Sequence, residues 1–349
     1  MSSVAGVRLV RLTRNPWLPT SGAFMTSLPP KAPRSRLQVT LGIALRVALT
    51  ALVFGVLFWR IDVHAVTASI ARIPVFALLS GLGALVLATL TAVVRWRALM
   101  LAYGAIARPS WRESLRLYWV TLFYNLLPGA VGGDVYRGYT TRHYFADGAA
   151  TRSMSVVFVE RVFGFSGLLV LAAAATLLGP APDRQVLLVS GLGLCAACGA
   201  VLTLVLGRRL AHLLPGRLAK LAGSLPRIER TGPFAWAFGL SVVTHIIVAL
   251  SGHVLIHSLA STVTLNDSMS IFPIGTLAAY FPLSIAGAGA RDAALAILFA
   301  KIGVAKADAL ATSLCMLGSN LIVSGAGGLV QLFGNRKQVP GTRSELGLQ

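Results

Sequence analysis

The sequence predicts an all-α polytopic membrane protein, with about six full transmembrane helices and two re-entrant helical hairpins arranged as an inverted-topology repeat. Three observations predict it. Of 349 residues, 56% are hydrophobic and 12% charged, with mean hydropathy +0.76; a soluble domain carries about 25% charged residues. Several apolar runs reach the roughly 20 residues that cross a hydrocarbon core. These runs do not alternate polar with apolar residues, which excludes a barrel and leaves helices as the backbone-satisfying structure in lipid.

Residues 1–40 read as a disordered basic arm, rich in Pro and Ser and carrying Arg8, Arg11, Arg14, Lys31, Arg34 and Arg36. No signal-peptide core is visible there, and Met25 is an alternative start. The membrane domain is expected over 41–335, with repeat halves at about 41–178 and 186–333, and 336–349 as a cytoplasmic tail. Six runs read as crossings: Leu41–Trp59, Val75–Val94, Ser155–Leu178, Val186–Leu206, Phe234–His257 and Leu310–Phe333. Two further apolar stretches, Leu115–Phe145 and Ser270–Ala300, are broken by Pro and Gly and lack an uninterrupted spanning run.

The net charge is +20, from 31 Lys and Arg against 11 Asp and Glu. These cations cluster between apolar runs, so they point to membrane orientation and anionic lipid, and no nucleic-acid partner is expected. The stretch up to Arg46 holds seven basic residues and no acid, which places the N-terminus in the cytoplasm. Arg95, Arg97, Arg108, Arg112 and Arg116 follow the second crossing, and "GRRLAHLLPGRLAKLAGSLPRIERTG" with six Lys/Arg follows the fourth. Arg336, Lys337 and Arg343 place the C-terminus on the same side. The assignment closes only if the two broken stretches each enter and leave on one side, dipping in from opposite faces. That is the pattern of an inverted repeat, whose broken helices mark a binding site.

The breaks carry the chemistry. In "NLLPGAVGGDVYRG", Pro128 ends a short helix, Gly129, Gly132 and Gly133 permit a tight backbone, and Asp134 is a natural N-cap for the helix after it. A helix N-terminus inside the membrane exposes N–H groups that attract an anion, and Arg137 one turn on adds a full charge. "FPLSIAGAGARDAAL" repeats the parts: Pro282, Gly287, Gly289, Arg291 and Asp292. The competing reading is a glycine-rich helix contact with an Asp134–Arg137 pair at i,i+3. "FVERVFG" adds Glu160 and Arg161; neighbours on a helix point about 100° apart, so each needs another partner, and Arg137 or Arg142 suits Glu160. Snorkelling is the alternative for that pair. Asn125, Ser284 and Asn320 either line a cavity or hydrogen-bond between helices.

Other motifs carry less. His253 and His257 lie at i,i+4, a metal-binding spacing, but no third ligand is evident beside them or His245, so no metal is expected. Cys195 and Cys198 form a C-x-x-C inside an apolar run and read as small packing residues; Cys315 stands apart. No Walker loop, nucleophile elbow or HExxH occurs, so neither a cofactor nor a catalytic constellation is expected.

Taken together, "NLLPGAVGGDVYR", "VVFVERVFG" and "FPLSIAGAGARDAAL", in that order, resemble the transmembrane, flippase-like domain of the lysylphosphatidylglycerol synthase/flippase family over about residues 40–335. The resemblance implies functional roles for Asn125, Pro128, Gly132, Gly133, Asp134 and Arg137, for Glu160 and Arg161, and for Pro282, Gly287, Gly289 and Arg291. Asp292 stands where such chains often have Glu. In two-domain members the membrane part is held to move aminoacylated phospholipid between leaflets, and a soluble C-terminal domain makes that lipid. Here the chain ends sixteen residues after Phe333, so the resemblance implies the membrane function alone.

The expected function is an inner (plasma) membrane lipid translocase or lipid-binding transporter, not an enzyme. Its expected partner is an anionic or modified phospholipid or an isoprenoid-linked lipid. The thirteen residues from Asn125 to Asp292 named for the resemblance would hold the head group. The alternatives are a non-transporting membrane partner of a cell-envelope enzyme, or an intramembrane enzyme using Glu160 and Asp134.

Overall fold

Ten α-helices account for most of the described residues. The computed structural model describes residues 63–126, 132–146, 150–179, 184–209, 211–213, 215–216, 227–280 and 289–333. The arm, the expected crossing Leu41–Trp59, Pro128, Gly129, Pro282, Ser284, Gly287 and the tail lie outside these residues.

The helices are α1 (Val63–Arg72), α2 (Val75–Ala102), α3 (Trp111–Asn125), α4 (Gly132–Thr140), α5 (Ala150–Leu177), α6 (Arg184–Leu206), α7 (Thr231–Leu259), α8 (Leu265–Tyr280), α9 (Ala290–Lys301) and α10 (Lys306–Phe333). Short 3₁₀ turns at Arg142–Tyr144 and Ala211–Leu213 complete them. No strand occurs among the described residues. The four helices α2, α5, α7 and α10 are long and apolar enough to cross a membrane. Large apolar side chains stand exposed on them, among them Phe76 and Leu79 on α2, Phe158 on α5, Trp236 on α7, and Leu321, Ile322 and Leu329 on α10. An aqueous protein would bury such faces; lipid accepts them. The chain is an all-helical, multi-pass membrane protein.

Six crossings were expected and four such helices are found among the described residues. One expected crossing lies outside them. Another forms α6, Arg184–Leu206, which contains the whole expected run Val186–Leu206. The expected end of the second crossing at Val94 is corrected: α2 runs eight residues further, through Arg95 and Arg97, to Ala102. Both guanidinium groups are buried and hydrogen-bonded inside the bundle, so the helix need not stop to expose them.

Local sequence sets several helix starts. Ser110 caps α3 by accepting from the Glu113 N–H at 3.2 Å. Thr264 and Asp267 form a reciprocal capping box before α8: the Asp267 N–H donates to Thr264 Oγ1 at 3.1 Å, and the Thr264 N–H to Asp267 Oδ2 at 2.9 Å. Gly104, at φ 78°, turns the chain after α2 as only glycine does readily.

The long helices pack through small residues. α2 runs along α7, where Ser251 Oγ donates to the Gly81 carbonyl at 2.8 Å. α5 meets α7 at Gly167, whose added Cβ would lie 3.1 Å from the Ser241 backbone. α10 meets α3 at Gly327, where a Cβ would fall 2.0 Å from the Trp119 carbonyl oxygen.

Two groups of connections gather separately. In the first, the Glu229 and Arg230 N–H groups both donate to the Ala102 carbonyl, at 2.8 and 3.2 Å. Ala105 pairs with Phe145 in an isolated bridge, and the Ile106 N–H donates to Tyr144 O at 2.9 Å. So the chain just before α3 meets the chain just after α4. In the second, Ile73, Val263, Phe299 and Val304 share one apolar cluster, which brings the start of α8 beside the end of α9. Arg72 and Asp308 pair there at 2.5 Å.

Candidate functional site

Glu160 lies on α5, ten residues after its first residue, or roughly 15 Å along the helix axis. The sequence reading set it near the end of a crossing starting at Ser155; α5 starts five residues earlier, so Glu160 is deeper in its helix. Its side chain is 4% exposed. A buried carboxylate needs compensation from several donors. Arg137 Nη2 donates to Oε2 at 2.5 Å, and Arg95 Nη2 and the Tyr118 hydroxyl donate to Oε1, both at 3.0 Å. Arg95 also donates through Nη1 to Ser241 Oγ at 2.9 Å. Residues of α2, α3 and α4 therefore converge on one carboxylate of α5, and Ser241 of α7 joins them through Arg95.

Arg137 is 3% exposed. Its guanidinium carbon lies 5.1 Å from the Trp96 ring centroid and 4.7 Å from that of Tyr118, within cation–π range. Nη2 is held by Glu160, while Nε and Nη1 have no hydrogen-bond partner among the described residues. Two strong donors are thus aimed into a protein interior without an acceptor.

Asp134 joins this network from the start of α4. The expectation that it caps α4 is corrected: α4 begins at Gly132, and Asp134 falls inside the first turn. Its carboxylate is claimed by Arg161, with Nε at 2.7 Å and Nη2 at 2.6 Å from Oδ2, and it lies 3.7 Å from Arg137. Charge-assisted bonds to a guanidinium outcompete a neutral cap. Asn125 supplies the polar contact at the helix start instead: Oδ1 accepts from the Gly133 N–H at 3.1 Å, and Nδ2 lies 3.5 Å from Asp134 Oδ1. Gly133 has to be glycine here, since a Cβ would fall 2.0 Å from the Thr121 carbonyl oxygen. Arg161 is the open member of the group, with its side chain 52% exposed. Arg142, the other suggested partner of Glu160, stacks on Tyr139 instead, at 3.9 Å.

The second break is wired differently. Gly289 has φ 91°, and its N–H donates to Asp292 Oδ2 at 3.0 Å, so Asp292 closes the first turn of α9. Asp292 is fully buried. Its Oδ1 accepts from Ser313 of α10 and from Arg291, whose Nη2 stands 3.3 Å away. Arg291 also donates to the Ser313 carbonyl at 3.2 Å. The two arginines singled out by sequence belong to separate clusters, one centred on Glu160 and one on Asp292.

Arg95, Trp96, Tyr118 and Ser241 were missed as site residues. The signal for Arg95 was present: "VVRWRALM" continues apolar after the arginines, so the helix had no reason to end there. Arg97 is a structural anchor, stacked on Trp111 at 4.1 Å and bonded to the Pro109 carbonyl and Ser114. Beside it, at the α2 end and outside the spanning helices, burial pushes the Tyr144 phenol above its ordinary range, and Glu113 adds to the push. The histidines are engaged in packing: His245 Nε2 lies 2.8 Å from the Gly164 carbonyl, His253 Nδ1 2.9 Å from Ser268 Oγ, and His257 Nδ1 3.1 Å from the Val263 carbonyl. No group of three metal-ligating side chains occurs among the described residues. Cys195 and Cys198 are free thiols on an exposed face of α6.

A search of curated proteins finds no match to this chain. A family model described as the lysylphosphatidylglycerol synthase TM region matches residues 43–328, which include both breaks, Glu160 and every partner it has in the bundle. The chain belongs to that family.

Proposed function

We propose that this protein is a lipid translocase or lipid-binding transporter of the plasma membrane, acting on a lipid with a phosphate-bearing head group. The observation that carries the reading is Arg137: buried, anchored through one nitrogen on Glu160, and holding two N–H donors without a partner among the described residues. A buried arginine prepared in this way suits bidentate recognition of phosphate oxygens. Arg161, half exposed above Asp134, would meet the head group first. Glu160 and Asp134 orient the two guanidinium groups and lower the net positive charge, so the anion is held without being trapped.

The α3–α4 and α8–α9 pairs would be re-entrant hairpins from opposite faces, related as an inverted repeat. The meeting of Ala105 with Phe145 supports this for the first pair, and the shared cluster of Val263, Phe299 and Val304 supports it for the second. With both termini cytoplasmic, the first pair would open toward the cytoplasm. The protein acts on lipid without chemical conversion, and any cell-envelope enzyme would be a recipient of that lipid.

The test is lipid capture. The protein is purified in mild detergent and its bound lipids are identified by mass spectrometry, for wild type, Arg161→Ala and the double variant Arg137→Ala/Arg291→Ala. One phospholipid class enriched in wild type and depleted in both variants is expected. Bulk membrane lipid in all three folded proteins overturns the reading.

A further inference from the structure

α10 contains a residue that does not fit its surroundings. Asn320 is exposed, although it lies near the middle of a spanning helix. Its direction differs from that of the exposed apolar face of α10. At 100° per residue, positions seven apart fall within about 20° of each other. Asn320 is therefore in line with Ser313 one way and Gly327 the other. Ser313 is buried against Arg291 and Asp292 of the second helix pair. Gly327 is buried against the Trp119 carbonyl of the first. Ala309, Met316 and Ser324, within about 40° of the same line, are buried too. The lipid face of α10 is elsewhere, on Leu321, Ile322, Leu329 and Leu332. An exposed side chain at the centre of a buried face means an opening inside the bundle. It lies about 10 Å along α10 from each helix pair.

The polar chemistry there is oriented. Ser324 Oγ donates to Asn320 Oδ1 at 3.2 Å. This ties the carbonyl oxygen of the amide back along the helix and turns Nδ2, a donor, outward. An uncharged donor binds phosphate or hydroxyl oxygens more weakly than an arginine does, which suits a group that must move on.

We infer that Asn320, set by Ser324, lines a hydrated cavity between the two helix pairs and is a neutral way-station for phosphate and glycerol oxygens of a lipid head group. The cavity stands on the geometry of α10 alone; the ligand rests on the lipid reading given above.

Two measurements test it, in a chain whose Cys195, Cys198 and Cys315 are replaced by Ala. First, Asn320→Cys and Leu321→Cys are reacted in membranes with a charged, membrane-impermeant thiol reagent. A thiol reacts as the thiolate, which forms in water and not in lipid, so position 320 is expected to react at least about tenfold faster than position 321. Equal, slow rates at both positions overturn the cavity. Second, the labelling of Asn320→Cys in detergent is repeated with added phosphatidylglycerol and with added diacylglycerol. Protection by phosphatidylglycerol alone is expected. Fast labelling that neither lipid slows leaves the cavity and overturns the way-station. Failure of the lipid reading itself is a separate result: purified wild type with no enriched phospholipid, whatever the labelling at position 320.

Discussion

The two helix breaks contain nearly the same residues and are wired in opposite ways. Around the α3–α4 break, Asp134 and Arg137 look outward from their helix. Their partners, Glu160 and Arg161, belong to α5, and Arg95 and Ser241 extend the network to α2 and α7. Around the α8–α9 break, Asp292 turns back onto its own helix start, holds its neighbour Arg291, and among the described residues of other helices bonds to Ser313 of α10. The first site is thus a joint between five helices and the second is a clasp between two. A joint with unpartnered donors suits binding and movement, while a saturated clasp suits a fixed pivot.

The largest expected effect breaks the joint. Glu160→Gln removes the buried carboxylate charge that Arg95 and Arg137 share and leaves Arg137 with the more distant Asp134, a change that costs about 3–5 kcal/mol. Denaturant-dependent unfolding in detergent is expected to show that loss; a loss below that from Asp292→Ala would reverse the ranking of the two sites. Asp292→Ala removes the acceptor for the Gly289 N–H and for Ser313, and about 1–3 kcal/mol is expected from the same assay.

Next come the glycines. Gly133→Ala drives a Cβ into the Thr121 carbonyl and is expected to cost about 1–3 kcal/mol through displacement of α4 from α3. Gly239→Ala, where a Cβ meets nothing within 4 Å, is expected to be neutral or slightly stabilising in melting temperature. Arg161→Ala is likewise expected to change stability by no more than about 1 kcal/mol, because the side chain is half exposed. Its effect on lipid capture should exceed that of Arg291→Ala, which sharpens the contrast between an open joint and a closed clasp.

Much of this architecture was legible in the sequence. The runs from Val75, Ser155, Phe234 and Leu310 all form helices long and apolar enough to cross a membrane, within a few residues at most ends. The exception is instructive. Arg95 and Arg97 read as a loop because charge ordinarily ends a crossing, yet Glu160, Ser241, Ser114 and the Pro109 carbonyl make their burial tolerable. The pairing of Glu160 with Arg137 was one of two options by sequence, and the structure selects it. The role of Asp134 was misread because a cap is the local default, and Arg161, 27 residues away, overrides it.

The sequence by itself determined what is local: the membrane class, from long apolar runs; and the helical state, from the need to satisfy backbone groups in lipid. The tertiary structure alone decided which charges meet. Arg95 and Glu160 are 65 residues apart, and Arg137 and Glu160 are 23 apart. Such partners are fixed by the order and rotation of packed helices, a property of the whole bundle that no window of sequence contains.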